Sequence, residues 1–174
     1  MTTLKKLTAL SLMTVLTFCG LASAGGSGTP TAPSIHADTR AAQQNVALAR
    51  QFYLPFNTGD VSVYSRILTK DWVDDALQPG QALGYAGFTP VIQYFRATMP
   101  DLHVENMDIT ASGDRVVVRS VISGTPVSPF LGVAPNGKKI SFRAIDIHQI
   151  KNGQIVYTWH LEDLFSAAAQ LSAK

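Results

Sequence analysis

The spacing of apolar positions divides the chain into three stretches. Between residues 7 and 21 they run almost without interruption, from 38 to 100 they recur every three or four positions, and beyond Pro100 they alternate with polar ones. Helical spacing joins Val46, Ala49, Phe52, Tyr53 and Phe56, which predicts a helix over 41–56, capped by Asp38 and ended by the strain that Pro55 puts on its last turn. Gly59 is a natural stop and Asp60 a natural cap for a second helix with Val63, Tyr64, Ile67 and Leu68 as its buried stripe. Trp72 and Val73 read as a short extended piece. Thr89-Pro90 predicts the start of a third helix, because proline at the first helical position loses no hydrogen bond. Val91, Tyr94, Phe95 and Met99 form its apolar face, and Pro100 closes it.

The change to a period of two predicts strands at 102–111, 115–124, 140–150 and 154–163, with turns at Ser112-Gly113-Asp114 and Asn152-Gly153. Residues 125–139 carry three prolines, Gly132 and Gly137, and read as a loop that can rim a pocket. Helices first and hairpin-linked strands afterwards predict an α+β fold with a mostly antiparallel sheet.

The first stretch alters the picture of where this domain works. Lys5 and Lys6, the apolar run and the small-residue site Ala22-Ser23-Ala24 have the order of a cleavable secretory signal peptide, with cleavage expected after Ala24. The run is shorter than the ~20 residues that cross a bilayer, so no membrane anchor is expected after cleavage. Phe18 before Cys19 departs from the small residue of lipoprotein processing sites. The expected organisation is a signal at 1–24, a flexible Gly/Ser/Thr/Pro leader at 25–37 and one domain at 38–174, secreted or periplasmic. Removing Lys5 and Lys6 from the 14 basic residues leaves 12, equal to the 12 acidic ones, so no basic surplus remains for nucleic acid. The only cysteine leaves with the signal, which excludes disulfide and thiol chemistry from the mature chain.

Candidate chemistry sits on the last hairpin, where the turn decides which side chains share a face. A two-residue turn at Asn152-Gly153 pairs Ile150 with Ile155 and puts Asp146 and His160 on opposite faces; a bulged turn pairs Ile150 with Gln154 and reverses the last strand. The sorting of side chains favours the bulged turn. It gathers Ile145, Ile147, Tyr157, Trp159 and Leu161 on an apolar face, and Phe142, Ala144, Asp146, His148, Thr158, His160 and Glu162 on the other. The second set mixes apolar walls with convergent polar groups, the composition of a small-molecule pocket. In that register Ala144 lies opposite His160 and Asp146 is its diagonal neighbour, within reach of a hydrogen bond or one bridging water. Asp146 and His160 are therefore the candidate acid/base pair. Consecutive Asp74 and Asp75 point apart on an extended segment, so at most one enters the pocket. His148, His160, Asp146 and Glu162 share a face, which allows a facial set of metal ligands, but their spacing matches no local zinc motif, and neither a metal nor another cofactor is expected.

Phe56-Asn57-Thr58-Gly59-Asp60, the loop Pro129-Phe130-Leu131-Gly132 with Pro135-Asn136-Gly137-Lys138, the strand Ile145-Asp146-Ile147-His148, and Asn152-Gly153-Gln154-Ile155-Val156 with Trp159-His160 and Asp163 together resemble the SnoaL-like polyketide cyclase (ester cyclase) family of the nuclear transport factor 2-like superfamily. The resemblance spans residues 43–171. It implies a cone: a strongly curved sheet closed by about three N-terminal helices over a cavity, and a homodimer packed through the outer sheet face. It also implies an acid/base aspartate at the position of His160 and a pocket histidine at that of Asp146, so the pair stands exchanged between the strands here. Asp74 matches a polar pocket position, and the expected lining is Asp74, Trp72, Tyr53, Phe142, Thr158 and Glu162. A more distant relative, the limonene epoxide hydrolase group, uses an arginine with two aspartates; Arg143 falls on the wrong face for that chemistry. The implied function is acid/base chemistry on a small hydrophobic, carbonyl-bearing molecule, with non-catalytic binding of such a molecule outside the cytoplasm as the alternative.

Overall fold

The computed structural model describes residues 32–173. The expected signal at 1–24 and the leader up to residue 31 lie outside the described residues. From residue 34 the elements are β1 (Ser34–His36), α1 (Arg40–Gln51), α2 (Leu54–Thr58), a 3-10 turn (Val61–Val63) running into α3 (Tyr64–Ile67), β2 (Leu68–Asp75), α4 (Gly84–Thr98), β3 (His103–Ser112), β4 (Arg115–Gly124), β5 (Ile140–Lys151), β6 (Gln154–Glu162) and α5 (Leu164–Ser172). The fold is α+β: one open, curved six-stranded sheet in the order β1-β3-β4-β5-β6-β2. The four central strands are antiparallel, and the edge strands β1 and β2 run parallel to β3 and β6.

The helices depart from expectation where backbone chemistry intervenes. Thr39, not Asp38, caps α1 by accepting from the Ala42 N–H at 3.1 Å. The predicted single helix over 41–56 breaks at Phe52–Tyr53, since Pro55 has no N–H to bond back to Gln51, and restarts as α2 with proline in its first turn. Thr89-Pro90 does not start the third helix. It begins at Gly84 and carries Pro90 inside. A Cβ on Gly84 would lie 2.4 Å from the Lys70 carbonyl oxygen, and one on Gly87 1.9 Å from that of Ala82, so only glycine lets this first turn seat. Trp72 and Val73 belong to a full eight-residue strand. The end of the leader is ordered as β1, and the chain beyond β6 forms a further helix, α5, that has no counterpart among the expected elements. Asp163 caps α5 through Ser166 N and Oγ at 3.0 and 2.6 Å, and Ala167 and Leu171 bury against Phe130, Ile140 and Phe142.

The hairpin register also differs. Asn152 and Gly153 both have positive φ, 50° and 75°, as a two-residue type I′ turn requires, and Ile150 pairs with Ile155. The slip follows directly after that pair: Val156 is an extra residue in β6, so Gln149 pairs with Tyr157 and every later position reverses. The predicted faces therefore hold, but Asp146 lies directly opposite His160 and Ala144 opposite Glu162.

The main core fills the space between the helices and the concave sheet face, around Phe52, Tyr64, Trp72, Phe88, Ile109 and Val118. The Phe56–Asp60 motif ties these layers together. The Asn57 side chain exchanges two hydrogen bonds with the backbone of Val104 (2.7 and 2.9 Å), and Arg96 donates to the Phe56 and Asn57 carbonyls at 2.7 and 3.0 Å.

Candidate functional site

A cavity of about 160 Å³ lies between the concave face and the helices. Phe52, Phe56, Phe88, Phe95, Phe130 and Phe142 contribute aromatic faces to its apolar wall. Its polar end is built by three adjacent strands: Asp74 from β2, Asp146 from β5, and Thr158, His160 and Glu162 from β6. The sheet order makes β2 and β5 the two neighbours of β6, which is why residues far apart in sequence converge. Asp75 has the opposite parity and is exposed, accepting from Tyr157 Oη on the outer face.

Asp146 and His160 both reach the cavity, but they are not hydrogen-bonded to each other. His160 is held by acceptors on both nitrogens: Nδ1 lies 2.8 Å from Glu162 Oε1, and Nε2 lies 2.9 Å from the Ala76 carbonyl and 3.3 Å from Asp74 Oδ1. Asp74 is fixed in turn by Gln81, whose Nε2 donates at 2.6 Å. Burial works against a charged imidazole. The Glu162 hydrogen bond and the charges of Glu162, Asp74 and Asp146 outweigh it, holding the His160 pKa at about 9. His160 is thus an imidazolium at neutral pH, with both N–H groups already donating.

Asp146 is the group poised to exchange protons. Burial raises its pKa to about 7, against the opposing effects of a Tyr53 hydrogen bond and the His160 charge. Tyr53 Oη donates to Asp146 Oδ2 at 2.8 Å, whereas Oδ1 has no hydrogen-bond partner among the described residues. Burial likewise raises the Asp74 pKa from its ordinary value, against the Gln81 hydrogen bond and the His160 charge. Behind this front, Tyr53 Oη is 3.0 Å from His148 Nε2, His148 Nδ1 is 2.9 Å from Thr158 Oγ1, and Trp72 Nε1 donates to the same oxygen at 3.0 Å. His148 is fully buried, which with the nearby His160 charge pushes its pKa down to about 3 and keeps the ring neutral.

Of the residues predicted from sequence, His160, Asp146, Asp74, Tyr53, Phe142, Thr158 and Glu162 line the cavity. Trp72 does not; it sits behind Thr158, tied to it by the indole N–H. Sequence reasoning missed Phe88 and Phe95 as walls, Gln81 as the brace on Asp74, and His148 as Tyr53's partner. Among the described residues, no group of three or more His, Cys, Asp or Glu is arranged to hold a metal ion.

Residues 47–171 match the family model of SnoaL-like polyketide cyclase. Among solved structures, the chain is similar to a Bacillus cereus protein provisionally named a polyketide cyclase (32% identity over 83% of this chain and 94% of that one, TM-score 0.70). It is also similar to TsrD from Streptomyces laurentii (29%, 78% and 98%, 0.68) and to IdmH from Streptomyces antibioticus, another protein provisionally named a polyketide cyclase (29%, 75% and 99%, 0.66). No curated protein matches. With the family model covering most of the chain and the cavity built on the same curved sheet, this protein belongs to the SnoaL-like polyketide cyclase family.

Proposed function

We propose that this protein acts outside the cytoplasm by acid/base chemistry on a small, uncharged, hydrophobic molecule bearing a carbonyl group. Asp146 exchanges the proton, and His160 is the fixed neighbouring cation. The environment of Asp146 carries this reading: a carboxylate at the cavity wall with one oxygen bound by Tyr53, the other unbonded among the described residues, and a pKa of about 7. A base works best with a pKa near the working pH. Asp146 Oδ1 takes a proton from the carbon beside the carbonyl; the C–H electron pair moves into the enolate, whose oxygen is stabilised by the His160 charge; the proton then returns to carbon.

Size and charge narrow the substrate. Cavities near 150 Å³ hold a single benzene-sized ring, whereas drug-sized ligands need roughly 300 Å³ or more. The relatives' names point to polyketide cyclisation; the cavity of about 160 Å³ seats one ring beside Asp146, and a wider groove shares Gln78, Val91, Tyr94 and Phe95 with it. Three carboxylates around one imidazolium disfavour an acidic substrate. Export rests on the Lys5-Lys6, apolar-run and Ala22-Ser23-Ala24 sequence. A homodimer through the outer face is part of the same reading, supported by Ile145 and Leu161, 49% and 77% exposed, beside the stacked rings of Tyr157 and Trp159.

The test is loss of α-proton NMR signal from a panel of one-ring ketones in deuterated buffer. Catalysed exchange that Asp146→Asn abolishes is expected. Exchange that survives the substitution would defeat the reading, and saturable thermal stabilisation without exchange would instead establish the non-catalytic binding alternative.

A further inference from the structure

We infer that Tyr53, His148, Thr158 and Trp72 form a one-way chain of hydrogen bonds that positions Asp146, so that only its cavity-facing oxygen takes up a proton. The two ends fix the direction. An indole N–H can only donate and an ionised carboxylate can only accept. Tyr53 has one hydroxyl hydrogen and spends it on Asp146 Oδ2 at 2.8 Å, so at 3.0 Å from His148 Nε2 it must accept, and that nitrogen carries the hydrogen. A neutral imidazole has one N–H; Nδ1 is then bare and accepts from Thr158 Oγ1 at 2.9 Å, while the same oxygen accepts from Trp72 at 3.0 Å. Every hydrogen is used once.

The reverse direction fails at Thr158. A hydrogen on His148 Nδ1 would give Oγ1 two donors and leave its own hydrogen without a partner in a fully buried site. The chain therefore stays aimed at Oδ2 when Asp146 is protonated, and the incoming proton must sit on Oδ1. Aligned donors polarise one another, so the far end of the chain favours the ionised carboxylate as Tyr53 does. The charged groups facing Asp146 are His160 and Glu162 from β6 and Asp74 from β2; of these His160 also acts on His148. Tyr53, His148, Thr158 and Trp72 are positioning residues. Their role rests on Asp146 being the group that exchanges protons, but the tautomer below reads the chain alone, whatever the outcome of the ketone assay.

Long-range ¹H–¹⁵N correlation spectra of the intact protein report each imidazole's protonation. His148, assigned by elimination with H36N, H103N and H160N, is expected to show a bare Nδ1 and a protonated Nε2 from pH 5 to pH 9. A hydrogen on Nδ1, or a tautomer that switches as Asp146 titrates, would overturn the inference. Tyr53→Phe removes the hydroxyl and keeps the ring; the Asp146 carboxyl carbon should then titrate about one pH unit higher. Thr158→Val should raise the same titration by a few tenths of a unit while keeping the fold. Unchanged Asp146 titration in both variants would reduce the chain to core packing.

Discussion

Replacing Asp146 by asparagine should stabilise the protein at high pH and not at low pH. In the folded state the pKa of Asp146 is raised from its ordinary 3.8 to about 7. Between those values the native state holds a proton that the unfolded chain has released, so native stability falls as pH rises through this window and levels off above it. The gap is about three pH units, and at 1.36 kcal/mol per unit ionising Asp146 costs about 4 kcal/mol by pH 8. At pH 4.5 only about 1 kcal/mol of that has been lost. Asparagine keeps an oxygen for Tyr53 but aims an unpartnered amide at the cavity, a pH-independent cost of about 1 kcal/mol. Because this offset is constant, the diagnostic quantity is the slope: the variant's advantage should grow by about 3 kcal/mol from pH 4.5 to pH 8. Denaturant unfolding of both proteins across this range measures it, with equal m-values as the check on comparison. His160 is present in both, and the loss of one of its several carboxylate neighbours perturbs it little. A difference flat to within about 0.5 kcal/mol would refute the claim that burial raises Asp146.

Gly87→Ala should cost about 2–4 kcal/mol in denaturant unfolding, since its Cβ would lie 1.9 Å from the Ala82 carbonyl oxygen. One-ring ketones should raise the melting temperature in a concentration-dependent way that saturates as the cavity of about 160 Å³ fills. Ile145→Asp and Leu161→Asp should convert a dimer to monomer in sedimentation, each charge being buried in the proposed contact. Expressed in full in a bacterium, the chain should be recovered outside the cytoplasm with a mass beginning at Gly25.

How much of this could be read from the sequence follows from the range of the forces involved. Strand positions were legible because alternation is local, and β3 to β6 fall within a residue or two of the expected spans. The shared face of Asp146 and His160 was legible from the sorting of side chains, but the position of the slip was not: Asn152-Gly153 is an ordinary two-residue turn and the extra residue is Val156, which carries no bulge signature of its own. The Gly84 helix start was hidden because its warrant is tertiary, the approach of the Lys70 and Ala82 carbonyls. In contrast, α5 had a readable signal in Asp163 and Ser166 three residues later, followed by good helix formers. Cavity membership of Asp74, Tyr53 and Phe142 was accessible through the family resemblance and strand parity. The link from Tyr53 to His148 joins residues 95 positions apart through the fold and leaves no trace in local pattern.

The pH dependence of ketone α-proton exchange distinguishes Asp146 as the base from His160 as the fixed cation. With Asp146 at about 7 and His160 at about 9, the profile should be bell-shaped: activity rises as Asp146 ionises, peaks near pH 8 and falls as His160 loses its charge. A catalysed rate with no inflection between pH 6 and pH 8 would contradict it.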